Sequence, residues 1–402
     1  MKIGIFTFHD EYNYGSVLQT YALQSYLMSK GHEVLIIHHH LSPRDERIKG
    51  IFATRSPRAW IRFIVLGVLG GGQFSRQLRL RKSRIFIEKN LHLTKYRFYL
   101  WNEAPRELGV DALVVGSDQL WSCQWEVPTK YLLEGAPEIP AVAYAVSIGV
   151  SSIPIALHDT YRKGFQRFQS ISVREKKAIE LIRECRYGGN VVQTIDPTLL
   201  VDKSVWDKFI PRQMISKKGY VFCYLMGVNI LTALPVLARF AKRNNCAIKL
   251  LVDDFFWNSA ALRPSCLVKS LICGIRLRMF CYKNDIQVCL KASHEDFIKS
   301  ISAANMVLTD SFHALMFSIV FGKNIRMIKP ANSYRAKMFS RIEEACNQFM
   351  KTNLLYNTID DALVSFEREG HTIVNWDMVN ASIESSRKWL MSAIDGLKTI
   401  KS

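Results

Sequence analysis

The sequence predicts an α/β protein with two doubly wound domains that face each other across a cleft. Short apolar stretches typical of buried strands alternate with stretches of helical apolar period along most of the chain. The alternation stops at Asp207–Tyr220 and then restarts. The length of 402 residues also exceeds what one compact core usually holds. We therefore expect domains at 1–212 and 218–402, with the last helix a candidate to pack back on the first domain.

The first block opens with a βαβ unit. The strands Lys2–Phe8 and Glu33–His39 flank a helix at Ser16–Lys30, which has a helical apolar period and a stop at Gly31. A second helix is predicted at Lys176–Cys185. The remaining strands of this block are short and apolar. They fall in Ala112–Asp118, Ala141–Gly149, Phe168–Glu175 and Asn190–Leu200, and Pro197 stops the last of them.

The second block repeats the alternation. Its predicted strands are Tyr220–Met226, Ala247–Asp253, Ile286–Leu290, Met306–Asp310 and Lys323–Ile328. Its predicted helices are Leu231–Asn245, His294–Ala304 and Ser311–Gly322. Open α/β sheets bind ligands beyond the carboxyl ends of their strands, so polar residues that follow these strands are the candidates for a site.

The formal charge of +19 favours an anionic partner, such as a phosphorylated substrate or a membrane surface. No RRM, KH or helix-turn-helix signature accompanies it, so we expect no nucleic-acid partner. Nine cysteines without a CxxC pair suit unpaired thiols in a reducing cytosol. His38, His39 and His40 follow one another on a strand and point to opposite faces, so we predict no metal site.

The segment Ile61–Gly72 is apolar and is flanked by many arginines. Its length of about 12 residues is too short to span a bilayer. It fits either a buried helix with solvated basic neighbours or a segment lying on an anionic leaflet. We expect a cytoplasmic protein, and contact with the inner face of the membrane is the alternative.

Two polar clusters follow strands of the first block. The opening loop enters its helix through a glycine and could present backbone N–H groups to an anion or simply be a capped turn; its candidates are His9, Asp10, Asn13, Tyr14 and Gly15. The second cluster, Ser117 to Trp121, offers Asp118 as a base or a hydroxyl-orienting group, with Gln119 and Trp121 beside it. A helix cap is the alternative for Asp118.

Two further clusters carry an arginine and a histidine. Arg174, after Ser172, stands at the start of a helix, where a cation is unfavourable unless it binds an anion or a carboxylate. His313 follows the cap Ser311, and the positive helix end favours its neutral form, which suits a proton carrier or a packed histidine. Positive charge follows downstream at Arg326, Arg335, Lys337 and Arg341.

Taken in order, these motifs resemble the polysaccharide pyruvyl transferase family. The resemblance rests on TFHDEYNYGSVLQTYAL, VVGSDQLWS, YAVSIG, SVRE, DPTLL and DSFHALMFSIVFGKN, which run from residue 7 to about residue 324. It implies two Rossmann-like domains similar to GT-B glycosyltransferases. It also implies transfer of pyruvyl from phosphoenolpyruvate to a sugar of a surface polysaccharide or its lipid-linked precursor, giving a cyclic ketal, with no other cofactor.

The resemblance suggests roles for the candidates. His313 would be the catalytic histidine, with Asp118 or Asp10 acting on the acceptor. Donor binding would fall to Arg174, Ser311, Arg341 and Ser172. Acceptor binding would fall to His9, Asn13, Tyr14, Gly15, Gln119 and Trp121. A nucleotide-sugar glycosyltransferase on the same architecture, or an inactive relative that binds anionic glycans, remains open as the alternative, and the oligomeric state is not predicted.

Overall fold

The structure is a computed structural model that describes residues 1–9, 13–40, 72–124, 128–211, 219–252, 264–330 and 339–398. Two six-stranded sheets organise these residues, and every strand pair in both is parallel. The predicted fold class is therefore confirmed. We call the part of the chain that forms the first sheet the first lobe and the part that forms the second sheet the second lobe.

The first sheet contains β1 to β6, which are Lys2–Phe6, Glu33–Ile36, Ala112–Asp118, Ala141–Val146, Ser170–Val173 and Val191–Gln193. The second sheet contains β7 to β12, which are Tyr220–Tyr224, Ala247–Leu251, Ile286–Cys289, Met306–Thr309, Asn324–Ile328 and Leu355–Tyr356. The change from one sheet to the other therefore falls between Gln193 and Tyr220. The residue limits of the two domains stay a prediction.

Helices α1 to α5 are Tyr14–Ser29, Gly72–Asn90, His158–Phe165, Lys176–Glu184 and Lys203–Asp207. Helices α6 to α9 are Ile230–Arg243, Pro264–Lys283, His294–Ser302 and Phe312–Val320. Helices α10 to α12 are Ser340–Phe349, Ile359–Glu369 and Trp376–Lys398. Short 3₁₀ turns connect several of the elements, and the one at Pro197–Leu199 matters for the site.

Strand order places a topological switch point in each sheet. The first sheet runs β2-β1-β3-β4-β5-β6, so the chain reverses its direction of travel between β1 and β3. The second runs β12-β11-β10-β7-β8-β9, so the reversal lies between β7 and β10. Crevices beyond the carboxyl ends of such strand pairs are where α/β sheets bind ligands. The segments that follow β1, β3 and β10 carry most of the candidate residues.

The strand predicted within Asn190–Leu200, with Pro197 as its stop, ends a few residues earlier in the structure. β6 ends at Gln193, and Pro197–Leu199 forms a 3₁₀ turn. The turn forms because the Asp196 carboxylate accepts the backbone N–H of Thr198 and because Pro197 has no N–H for a sheet ladder. In this turn the Asp196 carboxylate lies within reach of both Arg174 in the first lobe and His313 in the second.

The two lobes share one continuous hydrophobic core. The ring of Tyr14 in the first lobe stacks on Phe297 of the second at 5.0 Å between centroids, and Trp206 meets Phe317 edge-on at 4.8 Å. Helix α12, the last of the described chain, contacts β4 in the first sheet, and its Ser386 hydroxyl accepts the N–H of Ile195 at 3.0 Å. Side chains of both lobes therefore meet in a packed interface.

Candidate active site

Asp196 is the centre of a buried polar cluster between the lobes. Its Oδ2 accepts a hydrogen bond from Arg174 Nη1 at 2.8 Å and lies 3.5 Å from His313 Nε2. Its Oδ1 accepts from the hydroxyl and the N–H of Thr198 at 2.7 and 3.0 Å. Burial alone would raise the pKa of Asp196, but the charge of a protonated His313, Arg174 and the Thr198 N–H outweigh it, so the pKa falls below its usual range. Asp196 therefore remains a carboxylate.

Asp118 supplies a second buried carboxylate from the end of β3. Its Oδ2 accepts from the Ser16 hydroxyl at 2.7 Å, and its Oδ1 lies 3.8 Å from Arg174 Nη2. Burial raises the pKa of Asp118, but His313, Arg174 and Arg341 lower it more, so the net shift is downward. Ser117 and Asp118 have φ angles of +36° and +71°, a strained conformation for residues other than glycine that often marks a functional site.

Arg174 and Arg341 bring two guanidinium groups to one aromatic ring. Their Cζ atoms lie 4.2 and 5.5 Å from the centroid of the Phe312 ring. Among the described residues, Arg174 Nε and Arg341 Nε and Nη1 have no hydrogen-bond acceptor although they are shielded from solvent. Burial, followed by repulsion from Arg174, lowers the pKa of Arg341 to about 10. Such unpaired buried donors are rare in native proteins.

His313 reaches this cluster from the second lobe. It lies in the first turn of α9, behind the cap Ser311, whose hydroxyl accepts the N–H of Ala314 at 3.4 Å. Its imidazole packs against the backbone of Gly15 at the start of α1, where a Cβ would lie only 1.9 Å from Nδ1. The absence of a side chain at Gly15 is what allows the ring to approach Asp196.

A cavity of about 150 Å³ opens beside the cluster, between the two lobes. Arg174 and Asp196 line it from the first lobe, and Phe312 and Arg341 line it from the second. Helices α10 and α12 add the polar side chains Glu344, Gln348, Ser382, Ser385 and Ser386. The cavity is thus small and polar, with two cationic groups in its wall.

Two of the predicted acceptor residues serve the packing of the protein. Trp121 is fully buried in the core of the first lobe, where its indole N–H donates to Tyr131 O at 3.0 Å. Tyr14 is buried against the second lobe, and its hydroxyl donates to Ala292 O at 3.1 Å. Neither side chain is available at the surface of the cavity, and their part in acceptor binding stays a prediction.

The hydroxyl of Ser172 is used inside the first sheet. It accepts from Ala145 N and Thr194 Oγ1, and it donates to Ala143 O. His9 is fully buried with His38 and His39, with ring centroids 5.3 and 4.9 Å away. Both residues lie apart from the Asp196 cluster, and no group of three metal-ligating side chains is found in the described ranges.

The remaining predicted residues are placed near the start of α1 or Gly149, are buried away from the cavity, or lie outside the described residues. Asn13 caps α1 by accepting the N–H groups of Gly15 and Ser16, and Gln119 is partly buried beside Gly149. Arg326, counted among the downstream cations, is buried away from the cavity and donates to Ser365, Asn324, Thr372 and Gly370. Asp10, Arg335 and Lys337 lie outside the described residues, as does Ile61–Gly72 apart from its last residue.

Sequence reasoning gave no role to two acidic residues of the cluster. Glu175 Oε1 accepts the Ile148 and Gly149 N–H groups and the Ser147 hydroxyl, all at 2.9 to 3.1 Å. Glu344 of the second lobe accepts the Lys176 N–H at 3.0 Å and so caps α4 across the lobe interface. The sequence signal for an acidic partner such as Glu344 was the start of this helix, Arg-Glu-Lys-Lys, which is mostly basic and has no side-chain cap of its own.

A model of the polysaccharide pyruvyl transferase family matches residues 13–332. The chain belongs to this family. Its members form a transferase family associated with polysaccharide pyruvylation, and the match covers Asp118, Arg174, Asp196 and His313. Arg341 and helices α10 to α12, which complete the cavity, lie beyond the matched range. No curated protein matches the chain significantly.

Solved structures share the two-lobed architecture of this pyruvyl transferase family member. The UDP-GlcNAc 2-epimerase from Rickettsia bellii is 13% identical with a TM-score of 0.50, over 99% of this chain and 97% of that chain. The enzyme of the same name from Neisseria meningitidis, bound to UDP-GlcNAc, is 10% identical with a TM-score of 0.50, over 98% and 99%. These similarities confirm a GT-B-like fold. No helix in the described parts of the chain is long and apolar enough to cross a membrane.

Proposed function

We propose that the protein transfers the pyruvyl group of phosphoenolpyruvate to two hydroxyls of one sugar, forming a cyclic ketal and releasing phosphate. The acceptor is a surface polysaccharide or its lipid-linked precursor. The family match supports the pyruvyl transfer, and the chemistry of the interlobe cluster supports the anionic donor. We infer that the reaction takes place where His313 and Asp196 meet.

One observation carries the proposal: buried guanidinium N–H groups that find no acceptor in the part of the chain that the structure describes lie beside His313. Arg174 Nε and Arg341 Nε and Nη1 are those groups, and both arginines line the cavity. A carboxylate or phosphate placed there would accept charge-assisted hydrogen bonds, and its negative charge would offset the burial and the repulsion from Arg174 that together lower the pKa of Arg341 to about 10. Phosphoenolpyruvate carries both kinds of anionic group.

The proposed reaction needs a proton at the methylene carbon of the donor. Protonated His313 gives that proton, so the methylene becomes a methyl group and the adjacent carbon becomes electrophilic. One sugar oxygen attacks this carbon and loses its proton to His313. The carbon–oxygen bond to phosphate then breaks, the second sugar oxygen closes the ring, and its proton leaves with the phosphate.

The two carboxylates have separate tasks in this scheme. Asp196, 3.5 Å from His313 Nε2, fixes the imidazole and stabilises its protonated form during transfer. Asp118 keeps its negative charge at the end of β3 and accepts a hydrogen bond from an acceptor hydroxyl. Arg174 binds both carboxylates, so its main effect is to hold the pair in place, and Arg341 has the freer guanidinium for the donor.

The size of the cavity favours a small donor. Pockets for drug-sized ligands have volumes of about 300–1,000 Å³, whereas the volume here is about 150 Å³. A three-carbon phosphate is closer to this size than a nucleotide sugar. The solved relative bound to UDP-GlcNAc shares only the fold with this chain, so its ligand does not argue for a nucleotide sugar here.

Phosphate release and acceptor mass gain test the proposal, with phosphoenolpyruvate and a panel of lipid-linked and nitrophenyl hexosides. His313→Gln should lower kcat by about 10²–10⁴-fold, because the acid–base group is lost. Arg341→Lys should raise the KM for phosphoenolpyruvate by about 10- to 100-fold, because charge-assisted hydrogen bonds are lost.

Two exposed residues provide matched controls. His371→Gln and Arg183→Lys make the same chemical changes on exposed side chains that do not line the cavity, and we expect wild-type kinetics from both. Calorimetry with phosphoenolpyruvate alone gives a readout that needs no acceptor. Absence of donor binding, together with turnover of a nucleotide sugar, would replace the proposal with the glycosyltransferase alternative.

A further inference from the structure

Helix α7 in the second lobe exposes an apolar stripe to solvent. The side chains of Ile272, Ile275, Met279 and Tyr282 are 44%, 40%, 55% and 90% exposed. They occupy positions i, i+3, i+7 and i+10, so at about 100° per residue they form a strip about 80° wide. The opposite face of the helix packs through Leu277 and Cys281 into the core of the second lobe.

Basic residues border this stripe on both sides. Arg278 lies on one side, about 40° from Tyr282 around the helix, and Lys283 and Arg276 lie on the other side, about 20° and 40° from Ile272. All three are exposed. The sequence of α7 contains no aspartate or glutamate over its 20 residues. An exposed helix face that is both apolar and purely cationic is uncommon on a protein surface that contacts water alone.

We propose that α7 docks the protein on an anionic lipid surface. The helix lies in the plane of the interface, with the apolar stripe inserted at the boundary of head groups and acyl chains and the three basic side chains on the phosphates. The stripe extends about 15 Å along the helix, which suits contact with a surface rather than a span across it. Tyr282, the most exposed of the four, has the amphipathic ring that favours this boundary.

Charge complementarity favours a lipid surface over a second copy of this chain as the partner of this helix face. A second copy of this chain would bring the same cationic border against itself, and like charges would oppose the contact. An anionic leaflet instead offers negative charge around an apolar interior. The proposal does not depend on the donor or on the ketal; where the acceptor is lipid-linked, it places the enzyme at the surface that holds the acceptor.

Co-sedimentation with vesicles tests the proposal. The full chain should bind phosphatidylcholine vesicles that contain about a third phosphatidylglycerol, and binding to pure phosphatidylcholine should be much weaker. The double variant Ile275→Glu/Met279→Glu should bind at least about tenfold more weakly, because two carboxylates replace apolar side chains in the stripe. Arg276→Gln and Arg278→Gln should each weaken binding by about fivefold and reduce its salt dependence.

Ile155→Glu is the matched control, because Ile155 is 85% exposed in the first lobe, and its vesicle binding should equal that of wild type. Circular dichroism and phosphoenolpyruvate binding report whether each variant is folded. Three results would overturn the proposal: wild type that ignores anionic vesicles, a stripe double variant that still binds them fully, or a wild-type dimer that this double variant converts to a monomer.

Discussion

Gly15→Ala is the most direct probe of how the two lobes build the site. A Cβ at position 15 would lie 1.9 Å from Nδ1, 2.4 Å from Cγ and 2.6 Å from Cε1 of His313. Comfortable contacts between such atoms lie at about 3.5–4.0 Å, so the imidazole has to retreat by about 1.6 Å or more. Such a movement is large compared with the 3.5 Å that separates His313 Nε2 from Asp196 Oδ2.

Two consequences follow from this displacement. Overpacking at a buried contact costs about 1–3 kcal/mol, so the free energy of unfolding should fall by that amount. A misplacement of about 1 Å at a catalytic group can cost about 10²-fold in rate, so kcat for phosphate release should fall by about that factor or more. The KM for phosphoenolpyruvate should change less, because the atoms nearest a Cβ at position 15 belong to His313 and not to Arg341.

Denaturant unfolding and phosphate release measure the two effects. Gly188→Ala is the control, because a Cβ there meets no heavy atom within 4 Å, and its stability should stay within about 0.5 kcal/mol of wild type. In the double variant Gly15→Ala/His313→Ala the new Cβ has no imidazole to clash with, so the free energy of unfolding of this variant should match that of His313→Ala alone. This account of the contact would be refuted if the losses in free energy of unfolding of the two single variants added up in the double variant, or if Gly15→Ala kept full activity.

Three further predictions concern the interface and the buried arginines. Burial lowers the pKa of His294 to about 3. Between about pH 3 and 6.5 the unfolded chain therefore binds more protons than the folded chain, so the free energy of unfolding should fall as the pH drops below 6.5. His294→Phe should reduce this slope by up to about 1.4 kcal/mol per pH unit in acid-unfolding curves. Glu344→Ala should lower the free energy of unfolding, measured in urea, by about 1–2 kcal/mol, because α4 loses its cap. Glu343→Ala is the control and should lower it by no more than about 1 kcal/mol, because Glu343 forms a half-exposed ion pair with Lys329. Arg326→Lys should destabilise the second lobe by about 2–4 kcal/mol in the same assay and leave the KM for phosphoenolpyruvate unchanged, in contrast to Arg341→Lys.

Apolar stretches were sufficient to predict eleven of the twelve described strands, and the two-residue strand Leu355–Tyr356 was missed. Apolar stretches such as Ala112–Asp118 and Met306–Thr309 have every residue buried in the structure, as expected for strands covered on both faces. The strand ends were harder to predict. Pro197 was the predicted stop of the strand in Asn190–Leu200, but the strand already ends at Gln193, and the Asp196 side chain then accepts the backbone N–H of Thr198 and turns the chain. Such a local hydrogen bond competes with a sheet ladder and is not visible as a change in hydropathy.

The sequence indicated which strand ends carry the candidate residues, but it did not indicate which of these residues contact each other. Placing Asp118, Arg174 and His313 after strands was correct as chain topology, since β3, β5 and β10 end beside them. That Asp196 meets His313 could not be read from sequence, because this contact depends on how the two lobes are oriented. Tyr14 and Trp121 carry polar tips that resemble binding groups, but those tips are satisfied by the carbonyls of Ala292 and Tyr131 inside packed cores.

The cluster exists only while the lobes are packed together. Asp118, Arg174 and Asp196 belong to the first lobe, whereas His313 and Arg341 belong to the second, so neither lobe holds both His313 and these two carboxylates. If the lobes separated, Asp196 would lose His313, which contributes most to holding its pKa down, and Arg341 would lose its three neighbouring carboxylates. Lobe packing and the protonation states needed for transfer are therefore coupled, so any substitution that loosens the Tyr14–Phe297 stack should reduce kcat without touching the substrate.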